Sequence, residues 1–302
     1  MTPPAPPEDR EPDSLGAVRR PEGAVVAYRL RRPGPPRRVL VLLHGVASNM
    51  TRWSEFVATT SLRASWDLLR VDLRGHGLSL YRGRIGMAEW CADLGAILAA
   101  EGYARAVVAG HCLGANIAIE FAARHPAQAA GLVLIEPMFR AGLTGHMRHI
   151  ARLRPLFLPA AGLVRALNGL GVHRRRLAPL DLEALDRKTR AIIAAGGAAD
   201  ALLARYASPF LDLRTTPTLA YLRALIAVTR RLPSLSAITA PVLALLASGS
   251  SFSDPAATEA ALAALPHLEL VELPARHWIP TEEPEAMRRA IERWCAALPA
   301  HP

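Results

Sequence analysis

Short runs of buried-type apolar residues alternate with helical stretches through this chain, and that rhythm leaves few folds open. Val39–Leu43 reads VLVLL, an unbroken apolar run of the kind that forms a strand covered on both faces. Trp66–Val71 is a second such run. Further strands are read at Val25–Leu30, Arg105–Ala109, Gly131–Ile135, Pro241–Ala247 and Leu268–Leu273. Helical spacing marks Met87–Glu101, Leu113–Arg124 (stopped by Pro126), Pro255–Ala264 and Glu283–Leu298. Strand and helix in alternation argue for a mainly parallel sheet with helices on both faces. The rhythm breaks between Met138 and about Ser236, where no strand is read. Helices are expected there at Leu180–Ala195 and Pro217–Arg231, the second capped by Thr216. One sheet domain with a helical insertion explains this more simply than two domains in series. The expected division is a flexible tail over 1–24, a core over 25–137 and 237–302, and a basic helical cap over 138–236.

With 302 residues, 51% of them hydrophobic, the chain can bury a full core and is not disordered as a whole. Its longest oily run, Leu156 to Val172, is interrupted by Pro159 and Arg165, so no membrane span is expected. Met1–Arg20 is rich in Pro, Glu, Asp and Arg and carries no leader pattern, which reads as a cytoplasmic protein. The net charge of +10 is unevenly distributed. Arg140–Leu235 holds 16 basic and 5 acidic residues, so the excess sits in the insertion. Few aromatic residues accompany these arginines and no recognition motif is present, so nucleic acid is not an expected partner. Cys91, Cys112 and Cys295 match no metal or disulfide spacing, and no phosphate-binding glycine loop occurs, so neither metal nor cofactor is expected.

The chemistry is concentrated in Gly110-His111-Cys112-Leu113-Gly114, between a strand and a helix. A turn that sharp strains its central residue, needs glycine on either side, and holds the central side chain above a helix N-terminus. Alone, a G-x-C-x-G could as well be a structural cysteine in an ordinary turn. Three further segments change the reading: His44-Gly45 after the first central strand, Asp72-Leu73-Arg74-Gly75-His76-Gly77-Leu78-Ser79, and His277 ahead of Pro280 and Glu282-Glu283-Pro284-Glu285. In that order, from about Val25 to Leu298, the chain resembles the α/β-hydrolase superfamily, as a member with cysteine at the elbow and a helical cap.

The resemblance implies an α/β-hydrolase fold and a Cys-His-acid triad. Cys112 would attack a carbonyl carbon and His277 would carry its proton. The N–H groups of Leu113 and Val46 would form the oxyanion hole. Two carboxylates compete for the third place. Asp254 lies in the loop after the next-to-last strand, where the family usually places its acid, and is the favoured choice. Glu136, 24 residues beyond Cys112 at the end of the following strand, is the alternative. His111 should point away from the pocket, and Cys91 and Cys295 should be packing residues.

A thiol nucleophile passes through a thioester, suited to hydrolysis and also to transfer onto an amine or alcohol. The expected function is hydrolysis of an ester or thioester. An acyltransferase or cyclase is the second reading, and a non-catalytic binding protein of the same fold the third. The substrate is expected to be a small ester or acyl-thioester. Arg174-Arg175-Arg176 and Arg230-Arg231 at the cap rim could hold a coenzyme A or acyl carrier portion.

Overall fold

The computed structural model describes residues 13–196, 206, 208–249 and 252–299. Its centre is an eight-stranded sheet in the order β1-β2-β4-β3-β5-β6-β7-β8. The strands are β1 (Ser14–Arg19), β2 (Val25–Arg31), β3 (Val39–Leu43), β4 (Asp67–Val71), β5 (Ala106–His111), β6 (Ala129–Ile135), β7 (Val242–Ala247) and β8 (Leu268–Leu273). Strands β4, β3, β5, β6, β7 and β8 pair in parallel, whereas β2 runs antiparallel to both β1 and β4.

Side-chain alternation along β3 shows how the sheet divides two cores. Val39, Val41 and Leu43 enter one apolar cluster, whereas Leu40 and Leu42 enter another on the opposite face. The first face is covered by α2 (Met87–Ala100) and α3 (Leu113–Arg124), with Trp90 and Phe121 fully buried. The second packs against α1 (Ser54–Thr59) and the C-terminal helix Pro284–Ala297, through Trp53, Phe56, Ile291 and Trp294. A strand flanked on both sides needs no polar face, which is why VLVLL is unbroken.

Between β6 and β7 lie α4 (Gly145–Gly169), α5 (Leu182–Ala194), α6 (Pro209–Thr215) and α7 (Thr218–Val228). No strand occurs among the described residues of this insertion. After β7 come α8 (Pro255–Leu262), the short α9 (Ile279–Glu282) and α10 (Pro284–Ala297). Helix α7 starts later than expected: Pro217 is its N-cap residue and Thr216 stays extended outside it. Pro217 has a helical φ of −58° but an extended ψ of 140°, so Thr218 is the first residue with helical geometry.

The expected tail is corrected in part. Residues 1–12 lie outside the described residues, but Ser14–Arg19 is β1, paired along its length with β2 through a turn at Gly23 (φ +86°). This edge strand alternates half-buried with exposed residues and has no apolar run, so composition hid it. It is anchored by the Asp13 carboxylate, which accepts from the Arg70 guanidinium at 2.6 Å, and by Gly16 lying flat on the Tyr28 ring, where a Cβ would overlap.

Candidate active site

The turn between β5 and α3 holds Cys112 at φ +52°, ψ −109°, a backbone conformation that L residues rarely adopt. Its neighbours enforce it. A Cβ at Gly110 would overlap the Gly114 carbonyl carbon, and one at Gly114 would overlap the Leu43 carbonyl oxygen. The chain can therefore reverse from strand to helix only with glycine at both places, and Cys112 stands at the end of α3 where backbone N–H groups lack helical partners. Its own N–H donates to the Ile135 carbonyl at 2.9 Å, tying the turn to the adjacent strand end.

The backbone N–H groups of Leu113 and Val46, the two amides expected to form an oxyanion hole, each act to lower the Cys112 thiol. Burial nevertheless dominates the thiol and pushes it up to about 12, so it is un-ionised at neutral pH. Cys112 and His277 line one cavity of about 350 Å³ between the sheet and the helices inserted after β6.

His277 follows β8 and is buried. Its Nδ1 lies 3.1 Å from Glu136 Oε2, and Glu136 Oε1 accepts from the Ala247 N–H at 2.7 Å. Of the two candidate carboxyls, the one that reaches His277 is Glu136 and not Asp254. Asp254 is exposed and caps α8, accepting from the Ala256 N–H at 3.0 Å. The reason is local. Glu136 sits at the tip of β6, next to β5, at φ +49°, a left-handed turn that directs it toward β7 and the His277 loop. The sequence held one signal for this. Glu136 is a lone acid ending a fully apolar strand one position over from the elbow, whereas Ala247-Ser248-Gly249 at the end of β7 offers none.

Burial lowers His277 to about 3, favouring neutral imidazole, and raises Glu136 to about 8. Aromatic rings fence the imidazole, with Phe252 at 4.7 Å and Trp278 at 5.6 Å between centroids. His111 departs from expectation. It lines the cavity, and its Nε2–H donates to the His277 carbonyl at 2.9 Å, fixing the loop that carries His277. The pairing was invisible in sequence because 166 residues separate the two.

The loop motifs hold backbone together. His44 Nδ1–H donates to the Gly45 carbonyl at 2.8 Å, and its Nε2 accepts from the Leu73 N–H at 3.1 Å. Asp72 accepts from the Met50 and Leu78 N–H groups at 2.7 Å each, and Arg74 pairs with Asp93. Cys91 and Cys295 are buried, and burial pushes both to about 12. Among the rim arginines, Arg174 donates to the Leu213 carbonyl and Arg230 pairs with Glu120 at 3.2 Å, so two of the five are committed within the protein. No group of His, Cys, Asp and Glu suited to a metal occurs among the described residues, and no described helix is long and apolar enough to cross a membrane.

A parallel sheet with an antiparallel β2, a left-handed residue between β5 and α3, and a histidine after β8 define an α/β-hydrolase fold. The chain belongs to the serine aminopeptidase S33 family, whose profile matches residues 34–283. It carries Cys112 where the elbow pattern has serine. A crystal structure of a hydrolase from Pseudomonas aeruginosa PA01 superimposes with a TM-score of 0.67 at 22% identity, covering 94% of this chain and 98% of that one. The uncharacterized Mycobacterium tuberculosis protein Rv2715 is 28% identical over 158 residues, 48% of this chain and 45% of the relative. Lipase LipV of the same organism is 32% identical over 120 residues, 37% of this chain and 42% of the relative. The matched stretch thus spans less than half the length of either curated relative.

Proposed function

We propose that the protein is a cysteine-dependent acyl hydrolase acting on a small ester or thioester through an acyl-enzyme on Cys112. The observation that carries this reading is the left-handed Cys112 at the floor of a cavity it shares with His277, whose Nδ1 is hydrogen-bonded to Glu136. Strain at a non-glycine residue persists where the surroundings over-determine it, and here it presents a nucleophile to a cavity.

Because burial keeps both thiol and imidazole neutral, the proton leaves sulfur as the bond to carbon forms, not beforehand. His277 Nε2 accepts the thiol proton while Sγ attacks the carbonyl carbon. The carbonyl oxygen takes the negative charge and is held by the Leu113 and Val46 N–H groups. Collapse breaks the bond to the leaving alcohol or thiol, which takes the proton from Nε2. Water then gives a proton to Nε2 and attacks the thioester, and the acid leaves as Sγ recovers its proton. Ionised Glu136 accepts from Nδ1–H throughout and steadies the transient imidazolium. The cavity is lined largely by apolar residues, among them Met138, Ile150, Leu185, Leu225 and Phe252, which favours an apolar acyl chain. The name of LipV points toward the same ester chemistry.

The test is intact-protein mass spectrometry after exposure to a panel of acyl esters and acyl-thioesters. An acyl adduct on wild type, absent from Cys112→Ala and hydrolysed in water alone, is the expected result. An adduct that persists in water but is discharged by an amine would make the protein a transferase. Failure of every acyl donor, together with failure of iodoacetamide to label Cys112, would sink the catalytic reading in favour of a binding protein.

A further inference from the structure

Helix α4 presents two opposed apolar faces, and only one is used by the fold. Met147, Ile150, Phe157, Ala161 and Val164 pack toward the core, with Met147 and Ile150 also lining the cavity. On the opposite side Leu156 (63% exposed), Leu163 (62%), Leu167 and Leu170 (79%) stand in solvent, at spacings that place them on one helical stripe. Large apolar side chains exposed singly are ordinary, but a row of them along one helix marks an interaction surface.

Charge indicates what covers it. Helix α4 carries Arg148, Arg152, Arg154 and Arg165 and no acidic residue. Arg152 and Arg165 are exposed, as are Arg175 and Arg176 just beyond the helix, and none of these four makes an ion pair among the described residues. A second copy of the same face would set arginine against arginine, with no acid on α4 to answer it. A surface that is apolar beneath and negative on top answers both properties. Leucines would enter the hydrocarbon boundary while arginines meet anionic headgroups. No described helix is long and apolar enough to span a membrane, so the contact is a surface one.

We propose that the outer face of α4 docks the protein on an anionic lipid surface, with the cap helix lying in the interface plane. The inference stands on the exposed stripe and on charge, independently of what Cys112 does. A cap seated in that way would bring its cavity close to the bilayer, where apolar esters collect.

Vesicle co-sedimentation tests this with the full chain, using pure phosphatidylcholine and phosphatidylcholine containing phosphatidylglycerol. Binding to the anionic vesicles should exceed binding to neutral ones by about tenfold or more and fall as salt is added. Leu156→Asp/Leu163→Asp should abolish it with the thermal midpoint unchanged, since both side chains are already in water. Arg152→Gln, at the one α4 arginine that shares the leucine stripe, should weaken it about fivefold. Equal partition onto neutral and anionic vesicles, or retained binding in the leucine pair, would overturn the proposal. So would a dimer in lipid-free solution that the leucine pair dissociates, because a second copy would then own the face. Cys112→Ala should bind vesicles as wild type does, which keeps this result separate from the fate of the catalytic reading.

Discussion

In the proposed mechanism the decisive residue is Glu136, because its protonation sets which nitrogen of His277 is free. A protonated Glu136 donates to Nδ1, so the imidazole proton resides on Nε2 and no base faces the thiol. Ionised Glu136 accepts from Nδ1–H and leaves Nε2 open. With Glu136 raised to about 8 by burial, kcat/KM for an ester should climb with pH through about 8. A pH–rate profile rising instead near the ordinary histidine value would assign the limb to His277. Glu136→Gln should lower kcat by about a thousandfold, since an amide cannot orient and support the imidazolium. Asp254→Asn, which keeps a helix cap at an exposed site, should stay within about twofold of wild type. Steady-state kinetics on the two variants separates the candidates that the sequence left open.

Among elements, the junction of α5 with the segment around α1 fixes the inserted helices beside the cavity. The Asn49 side-chain amide donates to the Leu180 carbonyl at 2.8 Å, and the Leu182 N–H donates to Thr51 Oγ1 at 2.9 Å. Arg52 reaches from the core to Asp186 on α5 and to Thr281 Oγ1 at 2.7 Å, with Arg52 and Asp186 side chains only 5% and 4% exposed. The Tyr206 hydroxyl donates to the second Asp186 oxygen at 2.9 Å. Removing one partner from such a pair strands the other charge in a dry site. Asp186→Asn should therefore destabilise the protein by about 3 kcal/mol and lower the thermal midpoint by several degrees, read by calorimetry. Nothing in the sequence pairs Arg52 with Asp186, because a contact across 134 residues exists only once α5 has docked.

For the molecule as a whole, burying ionisable groups around one cavity makes stability depend on pH. Burial raises Glu136 to about 8 and Asp212 to about 7, so between their ordinary values and these the native state binds more protons than the unfolded chain. Stability from these groups is present at low pH and is lost as pH rises through their folded values. His277, lowered to about 3, and His76, lowered to about 4, act in the opposite sense, but only below the ordinary histidine value of 6.5. From about pH 6.5 to 8 the carboxyls stand alone. Stability should fall there by about 1 to 2 kcal/mol from Glu136, and Glu136→Gln should flatten that slope. Urea midpoints at the two pH values check it.

Local pattern determined much of this protein. Unbroken apolar runs mark strands covered on both faces, and β3, α3 and β8 have the bounds read from sequence. The glycines around Cys112 mark a turn no other residue permits, because their neighbours are backbone only a few positions away or on the next strand. Edge strand β1 escaped because half its residues face water and carry no hydrophobic signature. That Glu136 and not Asp254 meets His277, that His111 holds the His277 loop, and that the outer stripe of α4 is bare were decided by tertiary structure alone. Each depends on which strand ends and helix faces come together, and sequence spacing does not encode which neighbour a side chain meets or whether it meets one at all.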